Sequence, residues 1–102
     1  MVRVHARAHL DLLLLAAVRN EPGDGEAVMQ ELRRQSGGRF MPGARTIYSA
    51  LHRLERNRLI RRSGGDARAY VLTVSGRRSL ATKAQEWESF VQGVRGLIPP
   101  PG

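Results

Sequence analysis

The chain has 102 residues, and 17 lysine and arginine side chains against nine acidic ones give it a formal net charge of +8. This length fits one domain with a modest core, to which association with a second copy would add stability. The absence of cysteine excludes disulfides, zinc–thiolate sites and thiol nucleophiles. The longest apolar run, residues 12–18, is too short to span a bilayer, and Asp11 interrupts any signal-peptide pattern. We therefore expect a cytoplasmic protein with no membrane partner.

The first part of the chain predicts two helices. Apolar residues recur at helical spacing over residues 6–19, and the proline and glycine that follow end this helix. Asp24 is a suitable N-cap for a second helix that extends to about residue 35, where Ser36 and two glycines close it. Phe40, in the connection that follows, is expected to enter the core.

Residues 44–58 predict a helix with two different faces. At about 3.6 residues per turn, four apolar side chains fall on one side: Ile47, Ala50, Leu51 and Leu54. Five polar side chains fall within about a quarter-turn on the other side: Arg45, Ser49, His52, Arg53 and Arg56. One face can pack on a core while the other meets an anionic partner, which is the construction of a recognition helix.

The positive charge is concentrated on this helix and on the segment after it. Residues 1–38 carry five basic and five acidic side chains, whereas residues 39–68 carry eight arginines and two acidic side chains. A local basic footprint attracts a polyanion and adds affinity through counterion release. The alternative interpretation is a solvated basic surface without a partner.

A short β-hairpin is predicted next. Residues 59–63 and 69–72 have the composition of strands, and Gly64-Gly65-Asp66 has the composition of a turn. Thr73 then caps a final helix that extends to about Ile98. The order helix, helix, helix, hairpin, helix predicts a mostly α (α+β) protein with a winged helix-turn-helix fold.

The last helix carries an apolar stripe. Its members alternate at spacings of four and three residues, as the a and d positions of a heptad do: Leu80, Ala84, Trp87, Val91, Val94 and Ile98. We expect homodimerisation through this stripe, which would pack against Leu10 and Leu14 in the first helix of the other copy. Two-fold symmetry would then present two recognition helices to a palindromic duplex. The alternative is that the helix packs back on its own core.

The predicted organisation therefore has three parts. These are a winged helix-turn-helix DNA-binding domain over residues 1–72, a C-terminal dimerisation helix over 73–98 and a disordered tail over 99–102.

Two blocks of sequence resemble the PadR family of bacterial transcriptional regulators. The first block, TIYSALHRLERNRLI over residues 46–60, has the family's Thr-aliphatic-Tyr, Arg-Leu-Glu and Leu-Ile groups. The second block, RAYVLTVSGRRSL over residues 68–80, has its Tyr-x-Leu-Thr-x-x-Gly pattern. The likeness extends over about residues 8–95. Family members often have glycine where this chain has Arg45 and Arg58.

The resemblance implies a short family member that acts as a homodimeric repressor on double-stranded DNA, associated with the nucleoid. It also implies a phosphate contact through the Tyr48 hydroxyl. We expect no cofactor.

From the residues themselves we assign base-edge or phosphate contacts to Arg45, Ser49 and His52, which lie near the front of the third helix. Backbone contacts are assigned to Thr46, Arg53 and Arg56. The arginines of the wing, residues 61–70, are expected to flank the minor groove or the phosphates: Arg61, Arg62 and Arg68. Glu55 is expected to form an internal salt bridge with Arg58 or Arg61.

Trp87 is the sole tryptophan and lies in the middle of the proposed dimer seam. Two indoles across a two-fold axis would form an apolar slot for a planar aromatic effector. The resemblance favours such a ligand, because some family members respond to phenolic or drug-like molecules. The other interpretation is an interface anchor.

Signatures of enzymes are missing from the sequence. His5 and His9 are one helical turn apart, but no third metal ligand is evident. The chain has no glycine-rich phosphate loop and no nucleophile elbow, so we expect no enzymatic activity. A different class of function stays open, in which a basic winged-helix module docks RNA or a protein partner in a larger assembly.

Overall fold

The structure, a computed structural model, describes residues 7–63, 65 and 68–101. The order of its elements is the predicted winged helix-turn-helix order of three helices, a hairpin and a long fourth helix. The elements are α1 Arg7–Asn20, α2 Gly25–Gln35, α3 Ala44–Arg56, β1 Ile60–Arg62, β2 Tyr70–Leu72 and α4 Val74–Leu97.

One apolar core joins these elements. Helix α1 lies at its centre and contacts the other three helices and β2. Burying each large aliphatic side chain contributes about 1.5–3 kcal/mol. The largest fully buried side chains come from all three N-terminal helices and from β1: Leu14, Leu15, Val18, Val28, Ile47, Leu51, Leu54 and Ile60. Phe40 packs against the edge of this core, as expected.

The start of α2 confirms the predicted cap. The Asp24 carboxylate accepts a hydrogen bond from the Ala27 N–H at 2.9 Å, which satisfies one of the unpaired donors of the first turn. At the other end, Gly37 and Gly38 adopt φ values of 62° and 77°. The Gly38 N–H donates to the Arg33 carbonyl at 2.8 Å, and the Gly37 N–H donates to the Arg34 carbonyl at 3.2 Å, so these two carbonyls of the last turn are paired.

Helix α3 ends at Arg56, two residues before the predicted end at Arg58. The backbone turns there because Arg58 adopts the left-handed conformation, with φ of 60°. Its N–H donates to the Glu55 carbonyl, and the Leu59 N–H donates to the Leu54 carbonyl, both at 3.0 Å. This hydrogen-bond pair is the Schellman motif, in which glycine is the usual left-handed residue. An arginine in this place carries the steric cost of its Cβ.

The hairpin is shorter than predicted. Strands β1 and β2 are antiparallel and pair Ile60 with Leu72 and Arg62 with Tyr70. Residues 59, 63 and 69, predicted as strand, flank this ladder, and the Ser63 N–H donates to the Ala69 carbonyl at 2.7 Å. Gly64 and Asp66 of the predicted turn lie outside the described residues.

The connection between α1 and α2 adds a third segment to the sheet. The Tyr70 N–H donates to the Gly23 carbonyl at 2.8 Å, in an isolated antiparallel bridge. The wing is therefore attached to the helical core through backbone hydrogen bonds as well as through side chains.

Helix α4 begins at a junction around Leu59. The Thr73 hydroxyl caps the helix by accepting from the Gly76 N–H at 2.9 Å, and it donates to the Arg58 carbonyl at 2.6 Å. The Thr73 N–H donates to the Leu59 carbonyl at 3.1 Å. A Cβ at Gly76 would lie 2.9 Å from the Leu59 carbonyl carbon and nearer still to its oxygen, so only glycine allows this approach.

The boundary of α1 and the tail after α4 lie close to their predicted positions. Helix α1 extends to Asn20 rather than Arg19, and its predicted first residue, Ala6, lies outside the described residues. Pro99, Pro100 and Pro101 follow α4 as exposed residues without regular structure.

Replacing Arg58 with glycine is expected to raise the free energy of unfolding by about 1 kcal/mol, because glycine adopts a positive φ without the Cβ clash. Urea denaturation followed by circular dichroism measures the change. Gln85→Gly, at an exposed position inside α4, is the matched control and should lower the same free energy by about 1 kcal/mol. A neutral or destabilising Arg58→Gly would contradict this account of the turn.

Candidate nucleic-acid interface

Helix α3 is buried along one side and open along the other. Its four predicted apolar contacts are 0–1% exposed: Ile47, Ala50, Leu51 and Leu54. The opposite side exposes five of the predicted DNA-binding side chains: Arg45, Thr46, Ser49, His52 and Arg56. The two faces of this helix are those expected from its sequence.

Arg53 differs from its neighbours on this face. Its guanidinium donates to the Asp11 carboxylate on α1, and the two side chains are only 19% and 15% exposed. Arg53 stands at the edge of the polar face nearest α1, so it is drawn towards the carboxylate. Arg53 therefore joins α3 to α1 in this structure, and its contact with the DNA backbone stays a prediction. Asp11, the one acidic residue of α1, is the sequence signal that was missed.

Tyr48 occupies the other edge of the polar face. Its side chain is 38% exposed, and its ring lies over Gly25, the first residue of α2. The phenol is thus held against α2 while the residue stays partly open to solvent. No local pattern in the sequence indicates this contact, because Gly25 and Tyr48 are distant in the chain.

Arg62 of the wing interacts with the side chains of Tyr70 and Glu55. Its Nη2 donates to the Tyr70 hydroxyl at 2.9 Å, and its guanidinium lies 4.7 Å from the centre of the Tyr70 ring. Its Nε lies 3.4 Å from Oε2 of Glu55. Glu55 was expected to pair with Arg58 or Arg61, but the strand register places Arg62 opposite Tyr70 and beside the end of α3. Arg62 therefore connects the wing to the recognition helix.

The ionisation of Tyr70 is consistent with this role. Burial raises the pKa of the Tyr70 hydroxyl above the usual 10.0, and the nearby charge of Arg62 opposes the shift. At neutral pH the hydroxyl is therefore protonated and its oxygen accepts the hydrogen bond from Arg62. The remaining wing arginines, Arg61 and Arg68, are exposed, and Arg61 donates to the Arg62 carbonyl at 3.3 Å.

The predicted interface stripe on α4 divides into two parts. Leu80 is 5% exposed and belongs to the core of its own chain, as do Leu10 and Leu14 on α1. These three side chains are covered by their own chain, whereas Ala84, Trp87 and Ile98 are exposed. Val91 and Val94 are half-buried. The large apolar side chains that are exposed beyond Ala84 are Trp87 at 44%, Phe90 at 62%, Leu97 at 85% and Ile98 at 69%.

The outer side of α1 offers an apolar surface that sequence reasoning did not identify. Leu12, Leu13 and Ala16 are only partly buried there and pack against the edge of the core. A cleft of about 180 Å³ lies on one side, between α1 and α4, and is lined by His9, Leu12, Lys83, Glu86, Trp87 and Phe90. A second cleft of about 170 Å³, between α1 and α2, includes Leu13, Ala16, Leu32 and Phe40. The periodicity of α1 conceals this surface, because apolar residues surround most of the helix.

Trp87 contacts aromatic neighbours on both helices. Its ring meets His9 edge-on, with centroids 5.8 Å apart, and stacks on Phe90 at 5.7 Å. His9 thus contacts an indole, while His5, its proposed partner in half a metal site, lies outside the described residues. Within the described residues, no group of three histidine or acidic side chains is arranged to hold a metal ion. Among the described helices, none combines the length and the apolar composition needed to cross a bilayer.

The Asp11–Arg53 pair is expected to stabilise the attachment of α3. Asp11→Asn and Arg53→Gln should each lower the free energy of unfolding by about 1–2 kcal/mol, because each leaves a partly buried charge without its partner. The double variant should be no less stable than the worse single variant, which a urea denaturation cycle measures. Glu21→Gln, at an exposed position after α1, is the control for loss of a negative charge. Strictly additive losses would contradict a direct interaction.

Comparisons with known proteins agree with this fold. The family model of the transcriptional regulator PadR-like family matches residues 14–82. A transcriptional regulator from Clostridium thermocellum has a TM-score of 0.77 at 22% identity, over 93% of this chain and 99% of that one. A PadR family transcription regulator from Clostridium difficile has a TM-score of 0.70 at 27% identity, over 90% and 99% of the two chains. No match was found among curated protein sequences.

A third solved structure has the same fold. A PadR-like transcriptional regulator from Bacillus cereus has a TM-score of 0.74 at 20% identity, over 90% of this chain and 93% of that one. The segment matched by the family model extends from α1 into α4, so it contains the exposed face of α3 and the whole wing. The chain therefore belongs to the PadR-like family of DNA-binding transcriptional regulators.

Proposed function

We propose that two copies of this chain form a repressor that binds an inverted repeat in double-stranded DNA, with α3 of each copy in a major groove. The observation that carries the proposal is the burial of α3 along one side only. Its apolar face is fully buried, and its opposite face presents arginine, serine and histidine side chains to solvent. The segment with the largest excess of basic residues, 39–68, contains this helix and the wing.

The contacts divide by position along α3. Arg45, Ser49 and His52 lie on its exposed side in the first half or middle of the helix, where winged-helix and related proteins place base contacts. Arg56 lies at the last turn, so a backbone phosphate is the nearer target. Thr46 and Tyr48 carry hydroxyls that donate to phosphate oxygens.

The wing supplies a second set of contacts. Arg61 and Arg68 are exposed and supply charge to the phosphates or the minor groove beside the site read by α3. Arg62 remains partly exposed at 44%, yet it pairs with Glu55 and Tyr70. We assign to Arg62 mainly the orientation of the wing, with a phosphate contact from its exposed side.

Dimerisation is supported by two apolar surfaces on each copy. The exposed stripe of α4 begins at Ala84 and includes Trp87 and Phe90, and the outer side of α1 offers two clefts. A two-fold axis lets the stripe of each copy cover the outer side of α1 in the other. Contiguous apolar surface of this kind is typical of interaction sites.

We propose that the protein represses transcription. A dimer bound through the exposed face of α3 would occlude the duplex on the nucleoid. We propose no activating contact with a further protein.

A planar aromatic effector is a second element of the proposal. Trp87 and Phe90 form an aromatic wall beside the cleft of about 180 Å³ between α1 and α4. A ligand in this cleft would lie against the dimer seam and change the separation of the two α3 helices. Trp87→Ala separates the two roles of the indole: dissociation indicates an anchor, and an intact dimer with a lost ligand response indicates a pocket.

Selection from random DNA duplexes at near-physiological salt tests the function directly. We expect enrichment of an inverted repeat whose half-sites are about one helical turn apart. Binding that is salt-sensitive but independent of sequence would contradict the proposal. Preference for structured RNA over every duplex would favour the alternative, a basic module docked in a larger assembly.

Phe90→Asp is expected to give a monomer, because it places a charge in the exposed apolar stripe. Analytical ultracentrifugation measures the change, and binding to a single half-site should persist while affinity for the full repeat falls. Ser89→Asp, at the neighbouring exposed position on the other side of α4, is the control and should remain dimeric. A dimeric Phe90→Asp variant would contradict an interface at this stripe.

A further inference from the structure

Gly25 lies directly beneath the Tyr48 ring. It is the first residue of α2 and is buried. A Cβ built on Gly25 would lie 2.8 Å from Tyr48 Cζ and 3.0 Å from Tyr48 Oη, and nearer still to Cε1. These separations are far shorter than ordinary van der Waals contact, so the ring occupies its position only because residue 25 has no side chain.

The position of Gly25 is itself fixed. The Asp24 side chain caps α2 through the Ala27 N–H, and the Asp24 carbonyl accepts the first helical hydrogen bond from the Val28 N–H at 2.9 Å. Val28 is fully buried in the core. The backbone against which Tyr48 rests is therefore held by a cap and by the core.

Tyr48 lies on α3 next to side chains that are proposed to contact DNA. It is three residues after Arg45 and four before His52, so on a helix it adjoins both of these exposed side chains. Its hydroxyl end meets α2, while 38% of the side chain remains exposed. A phenol that is already immobilised loses little conformational entropy when it binds a phosphate.

We infer that Gly25 is a positioning residue for DNA binding: it makes room for the Tyr48 ring between α2 and α3, and thereby directs the Tyr48 hydroxyl to a backbone phosphate. The inference rests on the proposed function, since it assumes that this side of α3 meets DNA. It adds to that function a specific requirement at a residue that itself touches no DNA.

A cycle of four proteins tests the inference: the unaltered chain, Gly25→Ala, Tyr48→Phe and the double variant. Fluorescence anisotropy on the selected duplex measures affinity. Tyr48→Phe should weaken binding about tenfold, the loss expected for a hydrogen bond to a charged group. Gly25→Ala should weaken binding to a similar extent, because the displaced ring no longer presents its hydroxyl. In the Tyr48→Phe background, Gly25→Ala should cost less than about twofold, since no hydroxyl remains to be positioned.

Two results would overturn the inference. One is an unchanged affinity for Tyr48→Phe, which would show that the hydroxyl makes no contact. The other is an equal loss from Gly25→Ala in both backgrounds, which would show that residue 25 acts independently of the hydroxyl. Gly93→Ala is the control for the substitution, because a Cβ there meets no atom within 4 Å. Its affinity should equal that of the unaltered chain.

A second pair of variants keeps the test decisive if Gly25→Ala does not fold. Tyr48→Ala removes the ring and with it the clash, so Gly25→Ala should fold normally in that background and should leave DNA affinity at the Tyr48→Ala level. A further loss of affinity there would contradict positioning through the ring. Failure of the proposed function is distinguishable, because it would appear as a lack of sequence-dependent binding by the unaltered chain.

Discussion

The burial of one side of α3 is the constraint on which the rest of the structure depends. Ile47, Leu51 and Leu54 have no exposed surface, so the rotation of the helix about its axis is fixed. With rotation fixed, a helix of 3.6 residues per turn must direct Arg45, Ser49 and the residues aligned with them away from the core. The DNA-binding surface thus follows from packing. The Asp11 carboxylate and the Gly25 backbone, on either side, then hold the two edges of the polar face.

The junction around Leu59 connects the end of α3 to the wing and to the start of α4. The Leu59 N–H closes α3, and the Leu59 carbonyl accepts from the Thr73 N–H at 3.1 Å. Gly76 lets the first turn of α4 rest directly on that carbonyl. The end of the recognition helix, the wing and the start of α4 therefore meet at one point. In a dimer formed through α4, this junction would set the separation of the two α3 helices and hence the spacing of the half-sites.

Local signals in the sequence predicted much of this arrangement. The caps at Asp24 and Thr73 were recognisable because one side chain and its spacing suffice for each. The two faces of α3 followed from helical periodicity. The left-handed turn at Arg58 was missed because an arginine gives no indication of a positive φ.

Other features depend on how helices pack and have no local signal. The Asp11–Arg53 pair joins residues 42 positions apart. Leu10 and Leu14 were assigned to an interface but lie in the core, because the apolar surface of α1 is too wide for periodicity to separate core from seam. For the same reason, the partly open surface of Leu12, Leu13 and Ala16 emerged only from the structure.

The most direct test of the account compares two matched variants within α3, Arg45→Gln and Arg56→Gln. The measured quantity is the ratio of affinities for the selected duplex and for a scrambled duplex, across a range of salt concentrations. If the front of α3 reads bases, Arg45→Gln lowers this ratio about tenfold, whereas Arg56→Gln weakens both duplexes equally and reduces the salt slope by about one. An unchanged ratio for Arg45→Gln, with equal weakening of both duplexes, would contradict a base-reading role for the exposed front of α3.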